Sequence, residues 1–147
     1  MLASEHVMRI NAYLHESPIF TVKSLSRRFD ALASKALSRS NLGLTEGLVL
    51  AAIFFEDPHP VKPGLLAETF DMTRGAISHV ISSLEAKGLV VRAIDPSDAR
   101  AYLITLKPAG KKQAMLMITV FDALQNSFEK RVGKRPLETA LDLLRSL

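Results

Sequence analysis

Apolar positions recur at steps of three and four along most of this chain, the spacing of amphipathic helices, and give way once to short β-branched runs. Ser4 is placed to cap a short first helix with Val7, Ile10 and Leu14 on one face, ended by Ser17-Pro18. Thr21 predicts the N-cap of a long helix. Its Val22, Leu25, Phe29, Leu32 and Ala36 form a narrow heptad-like stripe suited to helix-on-helix packing, with Asn41 and Gly43 as the stop. Thr45 opens a third helix over 46–56, whose run 48–55 is apolar almost all round and therefore predicted to be buried. Pro58 and Pro60 break the pattern, and Pro63 suits the first position of a short helix over 64–70.

After Asp71 and Met72, Thr73 predicts the cap of a helix over 74–87, closed by Gly88. Ala76, Ile77, Val80, Ile81 and Leu84 form its apolar face; Arg74, Ser78, His79, Ser82 and Ser83 lie on the other. Residues 89–94 and 101–106 are then rich in β-branched side chains, with the polar turn 95–100 between them, which predicts a β-hairpin. Pro108 opens a last long helix in which Ala114, Met117, Phe121, Leu124 and Phe128 keep the three-four alternation. Residues 133–136 break it, and Leu137, Leu141, Leu144 and Leu147 mark a final amphipathic helix. The fold class is mainly α with a small β-hairpin (α+β).

Composition narrows the function. At 147 residues, 48% apolar and 23% charged, the chain fits one globular domain with helical extensions. The absence of cysteine excludes a disulfide framework, a thiol nucleophile and a Cys-ligated zinc site. His6, His15, His59 and His79 lack metal-ligand spacing, and neither a Gly-rich phosphate loop nor a nucleophile elbow occurs, so no enzyme, cofactor or metal is expected. The apolar runs are far short of the roughly 18 residues of a membrane span, and residues 1–8 lack a signal-peptide pattern, so a soluble cytoplasmic protein with no membrane partner is expected.

A short helix, a tight turn and a second helix with a polar outer face make a helix-turn-helix, and the hairpin directly after it makes a winged helix. The second helix needs one apolar face for docking and a strip of small polar and basic residues to enter a major groove about 12 Å wide. Gly75, Ser78 and Ser82 are small enough to allow that approach, Arg74 and His79 can donate to bases or phosphates, and Arg100 is the only cation of the hairpin tip. Residues 73–112 hold seven cations and three anions, an excess equal to the +4 of the whole chain. The positive charge is therefore concentrated where a double-stranded DNA partner would lie.

Leu65-Leu-Ala-Glu-Thr-Phe, the run from Thr73 through Leu84-Glu-Ala-Lys-Gly-Leu-Val to Arg92, and Asp95-Pro-Ser-Asp-Ala-Arg100 together resemble the MarR (multiple antibiotic resistance regulator) family. The order of elements is similar over most of the chain, with the motifs concentrated between residues 65 and 110. The resemblance implies a homodimer on a pseudo-palindromic operator, held together by its N- and C-terminal helices and often released by a small ligand, commonly an anionic aromatic compound. It also implies that Asp98 orients Arg100 toward a phosphate or the minor groove. Three positions depart from the family pattern: His79 replaces a longer polar residue, Ala99 replaces the middle Arg of the wing, and Lys107 replaces a capping Thr, a loss typically costing about 1 kcal/mol.

The resulting expectation is a dimeric, sequence-specific transcriptional regulator, read as a repressor. Residues 1–44 are N-terminal dimerisation helices, 45–107 the winged helix-turn-helix and 108–147 C-terminal dimerisation helices. The DNA-binding residues are Arg74, Gly75, Ser78, His79, Ser82, Asp98 and Arg100. The rival reading is a winged-helix protein-interaction module without DNA binding.

Overall fold

A computed structural model describes residues 7–147; the predicted Ser4 cap lies outside them. The first helix, α1 (Asn11–Glu16), starts later than its apolar spacing predicts, with Ile10 at its N-cap and no side-chain cap. The long second helix, α2 (Pro18–Ala36), starts earlier than Thr21. Ser17 Oγ accepts the Phe20 N–H at 3.2 Å, with Pro18 at the first helical position. The residue before a proline is driven to extended backbone, so Ser17-Pro18 ends one helix and caps the next in a single step.

Residues 37–43 turn the chain, Asn41 at φ +57, and lead into α3 (Leu44–Glu56). This helix starts one residue before Thr45, because the Glu46 carboxylate reaches back to the Gly43 N–H at 2.9 Å. Val49, Leu50, Ala51 and Ile53 are buried as the apolar run predicts, whereas Phe55 is 71% exposed. Helices α4 (Pro63–Thr69) and α5 (Arg74–Ala86) follow, joined by a turn in which Asp71 takes φ +49.

Strands β1 (Val90–Asp95) and β2 (Asp98–Leu106) pair antiparallel, from Val90 opposite Leu106 to Ile94 opposite Tyr102. The turn is shorter than the predicted 95–100: Asp95 pairs with Asp98, leaving Asp98 and Arg100 on the strand. Val61 adds a bridge that the sequence did not reveal, exchanging backbone hydrogen bonds of 2.9 and 2.8 Å with Ile104. This pins the hairpin to the segment entering α4.

The centre of the core consists of Val49, Leu50, Ile53, Ile77, Ile81, Leu84, Val90 and Ile104, contributed by α3, α5 and both strands. Helix α6 (Pro108–Val132) buries Ala114 and Met117 against α3, where a Cβ on Gly47 would lie 3.2 Å from Phe121 and 3.3 Å from Met117. Farther along, the Phe29 and Phe128 rings meet at 5.4 Å. The two heptad stripes thus touch each other in part. Val22, Phe29 and Leu32 of α2 remain exposed beside them. Gly133 alone makes the next break, at φ +89, and α7 (Lys134–Arg145) takes Pro136 into its first turn. Its Leu141, Leu143 and Leu144 are exposed.

The root of the hairpin and the start of α6 are joined by the Lys107 N–H donating to the Leu89 carbonyl at 2.9 Å. A Cβ on Gly110 would overlap that carbonyl oxygen and lie 2.9 Å from its carbon. Backbone cannot swing aside as a side chain can, so Gly110→Ala should destabilise the protein by about 3 kcal/mol or more. A urea titration reads this directly, and an unchanged midpoint would contradict the packing.

Candidate nucleic-acid interface

Helix α5 presents the candidate residues because its ends are fixed and one face is committed to the core. Thr73 Oγ1 accepts the Ala76 N–H at 3.1 Å, and Gly88 at φ +72 closes the helix in a left-handed conformation that costs glycine little. With Ile77, Val80, Ile81 and Leu84 buried, Arg74, Gly75, Ser78, His79 and Ser82 emerge exposed on the opposite side. A Cβ added at Gly75 meets nothing within 4 Å, so this surface is open. Ser83, predicted on the polar face, instead turns inward and donates to the Glu46 carboxylate.

Helix α4, α5 and the hairpin enclose a cleft of about 580 Å³. It brings together Arg74, Ser78, Asp98 and Arg100 of the predicted set; Gly75, His79 and Ser82 lie outside its lining. Two cations that sequence reasoning missed, Lys62 and Arg92, complete it, with Tyr102 beside them. Lys62 sits at the N-cap of α4 and comes within reach only because the Val61 bridge folds that segment against β2. No local pattern marks such a placement. Arg92 had a signal in the charge excess, but its partners are set by the hairpin register.

The hydrogen bonds refine the predicted roles. Ser82 accepts from Arg92 Nη2, so its hydroxyl ties α5 to β1. Arg92 Nε lies 3.0 Å from Glu85 Oε2 as an ion pair without hydrogen-bond alignment. Asp98 Oδ1 accepts the Arg100 N–H at 3.0 Å, so it orders the Arg100 backbone; no ion pair joins the two side chains. Among the described residues Arg74 and Arg100 make no ion pair. Lys87 and Lys111, by contrast, are bound to Glu46 and Asp57 at 2.9 and 2.7 Å. Lys62 reaches Asp95 at 3.5 Å and remains 64% exposed. Around the cleft, Arg74, Arg100 and Lys62 are therefore the cations most open to a partner, while Lys107 and Lys112 are exposed away from its lining.

Residues 40–101 match the model of the MarR family, and the winged helix-turn-helix described above fills that segment. The match covers less than half of the chain, and over it the chain is similar to the MarR family. A Thauera aromatica protein named as regulatory for the hcr operon is 28% identical over 105 residues, which cover 71% of this chain and 63% of that protein, less than two thirds of its length. The fold is similar to that of S. aureus MepR in a DNA complex, with a TM-score of 0.82 at 19% identity over 89% of this chain and 98% of the other. It is also similar to the transcriptional regulator BldR of Sulfolobus solfataricus, with a TM-score of 0.73 at 25% identity over 96% and 100% of the two chains. Among the described residues no helix is long and apolar enough to cross a membrane, and no group of three or more His, Asp or Glu could hold a metal ion.

Two carboxylates brace this head electrostatically. Burial alone would raise Glu46, but hydrogen bonds from Ser83, Lys87 and the Gly43 N–H, with the Lys87 charge, outweigh it and hold the carboxyl below the ordinary glutamate range. The Ser97 hydroxyl and N–H, at 2.7 and 2.9 Å, hold Asp95 below the aspartate range, helped by Lys62. Both carboxyls bind a proton more readily unfolded than folded. Their stabilisation is full above the ordinary carboxylate range, near pH 4, and is lost as pH falls toward the lowered values. Glu46→Gln and Asp95→Asn should each flatten the acid limb of a stability-against-pH profile measured by urea unfolding. A limb parallel to wild type would show that the carboxylate contributes nothing there.

Proposed function

We propose that the chain is a DNA-binding transcriptional regulator that acts as a homodimer on a pseudo-palindromic operator and represses by covering promoter DNA. The observation that carries this reading is the convergence of Arg74, Ser78, Arg100 and Lys62 on one cleft beside an exposed, small-residue helix face. In it α5 enters the major groove. Arg74, Ser78 and His79 meet base edges or phosphates, Gly75 permits close approach, and Arg100 meets phosphate or the minor groove. Ser82 acts through Arg92 as a brace. Residues 45–107 are the reading head, and 1–44 and 108–147 the dimerisation arms. The exposed apolar side chains of α1, α2 and α7, among them Tyr13, Ile19, Val22 and Leu143, support the arms' role. Two reading helices in successive major grooves need a separation of about 34–36 Å. Family resemblance adds release by a small anionic aromatic ligand that changes this separation.

Titration of labelled duplexes, with DNA from upstream of the protein's own coding sequence and random DNA side by side, tests the reading. Affinity should fall steeply with salt, because each neutralised phosphate releases counterions, and Arg100→Ala should lower the slope of log K against log[salt] by about 2 per dimer. Absence of binding by folded protein at about 50 mM salt would favour the protein-interaction module. Deleting residues 1–20 together with 134–147 should convert the dimer to monomer or aggregate in light scattering; an intact soluble dimer would refute the assignment of the arms.

A further inference from the structure

Glu46 lies in the first turn of α3, away from the cleft, and its carboxylate collects four hydrogen bonds. They come from the Gly43 N–H at 2.9 Å, the Ser83 hydroxyl, and Lys87 Nζ at 3.0 and 2.9 Å to its two oxygens. Lys87 Nζ also donates to the Asn41 carbonyl at 2.8 Å. Asn41 holds φ +57 in the turn that joins the α2 arm to α3. One carboxylate and one ammonium thus join three pieces of chain: the exit of the arm, the start of α3, and the last turn and C-cap of α5.

The chemistry suits a fixed setting. A carboxylate near a helix N-terminus and an ammonium at a helix C-terminus are each favoured by the helix dipole, and here the two meet. The side chains are only 15% and 29% exposed, so solvent screens them less than it screens an open surface pair. The apolar seam under α5 resists separation but is non-directional, so it tolerates small slides and rotations. Charge-assisted hydrogen bonds to defined acceptors are directional and do not. Beside the pair lies a recess of about 530 Å³ lined by Asp30, Ser34 and Ser38 and by Leu37, Leu42 and Leu44; the leucines join the arm exit to the core, but that apolar packing holds the two together without fixing a direction.

We infer that Glu46 and Lys87 form a positioning pair that sets the orientation of α5 relative to the dimerisation arm, and thereby the spacing at which two copies read DNA. This rests on the regulator reading above and adds residues to it that touch no DNA. A rotation at the arm exit moves both reading helices, so an unlatched dimer accepts half-site spacings that the latched one rejects.

The test uses the full chain and a duplex enriched by wild-type protein from a random pool. Derivatives of that duplex carry half-sites one base pair closer or farther apart. Wild type should prefer the enriched spacing. Glu46→Gln and Lys87→Met should each reduce that preference by about fivefold or more, and the double variant by no more than the stronger single one. Lys87→Arg should restore it. A purely structural role would lower the thermal midpoint or the active fraction while leaving the spacing preference of the active dimers unchanged, and that result overturns the inference. Should Glu46→Gln fail to fold, Lys87→Met, which leaves the Gly43 and Ser83 bonds intact, reads the same ratio. Failure of wild type to enrich any duplex overturns the regulator reading and this inference with it; enrichment with unaltered spacing preference in the variants overturns this inference alone.

Discussion

The docking of α5 by Ile77, Ile81 and Leu84 onto Leu50 and Ile53 of α3 and onto Val90 and Ile104 of the hairpin is the contact on which the rest depends. These side chains are among the most deeply buried in the molecule, and each fully buried aliphatic side chain contributes about 1.5–3 kcal/mol relative to exposure. Because the three α5 residues follow helical spacing, their burial fixes the rotation of the helix about its own axis. Arg74, Gly75, Ser78 and His79 are outward for that reason and no other. The same seam carries Ile104, which pairs with Val61, so fixing α5 also fixes the hairpin and the entry to α4. The cleft is thus a consequence of packing three elements on one apolar centre.

Much of this was legible in the sequence because it follows from local rules. The Thr73 cap, the Gly88 stop, Pro63 and Pro108 at first helical positions, and the inner face of α5 all depend on residues within one or two turns of one another. What escaped depends on partners far along the chain. Lys62 joins the cleft through a bridge to a residue 43 positions away, which no periodicity announces. Ser83 lies between the polar and apolar faces, and only the position of Glu46 decides which way it turns. The Ser17 cap was hidden by its neighbour, since a Ser-Pro pair reads equally as the end of one helix and the start of the next. The charge excess of residues 73–112 was a true count that overstated the interface, because counting cannot see that Lys87 and Lys111 are paired with carboxylates of α3 and the residue that follows it.

Stability is distributed unevenly along the chain. The head has a continuous buried cluster and a hairpin stitched to α6 through Lys107 and Leu89. The α1 and α7 helices contribute no buried residue, and α2 only Ala33. Elements with few buried apolar contacts open at low cost, and their stability comes from whatever covers them. Under the dimer reading proposed above, an apolar arm covered by a second copy makes head placement a property of the assembly rather than of the chain.

Charge points the same way. Around the cleft, Arg92 is taken by Glu85 and Ser82, and the wing carries Ala99 beside Arg100 where a second arginine is common in the MarR family it resembles. That leaves Lys62, Arg74 and Arg100 to meet phosphates, and Lys62 is shared with Asp95. Under the regulator reading, one head with about three phosphate contacts gains only a slope of roughly three in log K against log[salt], too little for tight binding at physiological salt. Two heads held at fixed separation change the arithmetic. Once one head is bound, the second faces its half-site at an effective concentration set by the arms, near the millimolar range even for flexible tethers and higher when the geometry is fixed. A weakly charged head therefore makes DNA affinity depend steeply on how firmly the arms hold the two heads. Under that reading, control lies in the seam between arm and head rather than in the residues proposed to touch the duplex.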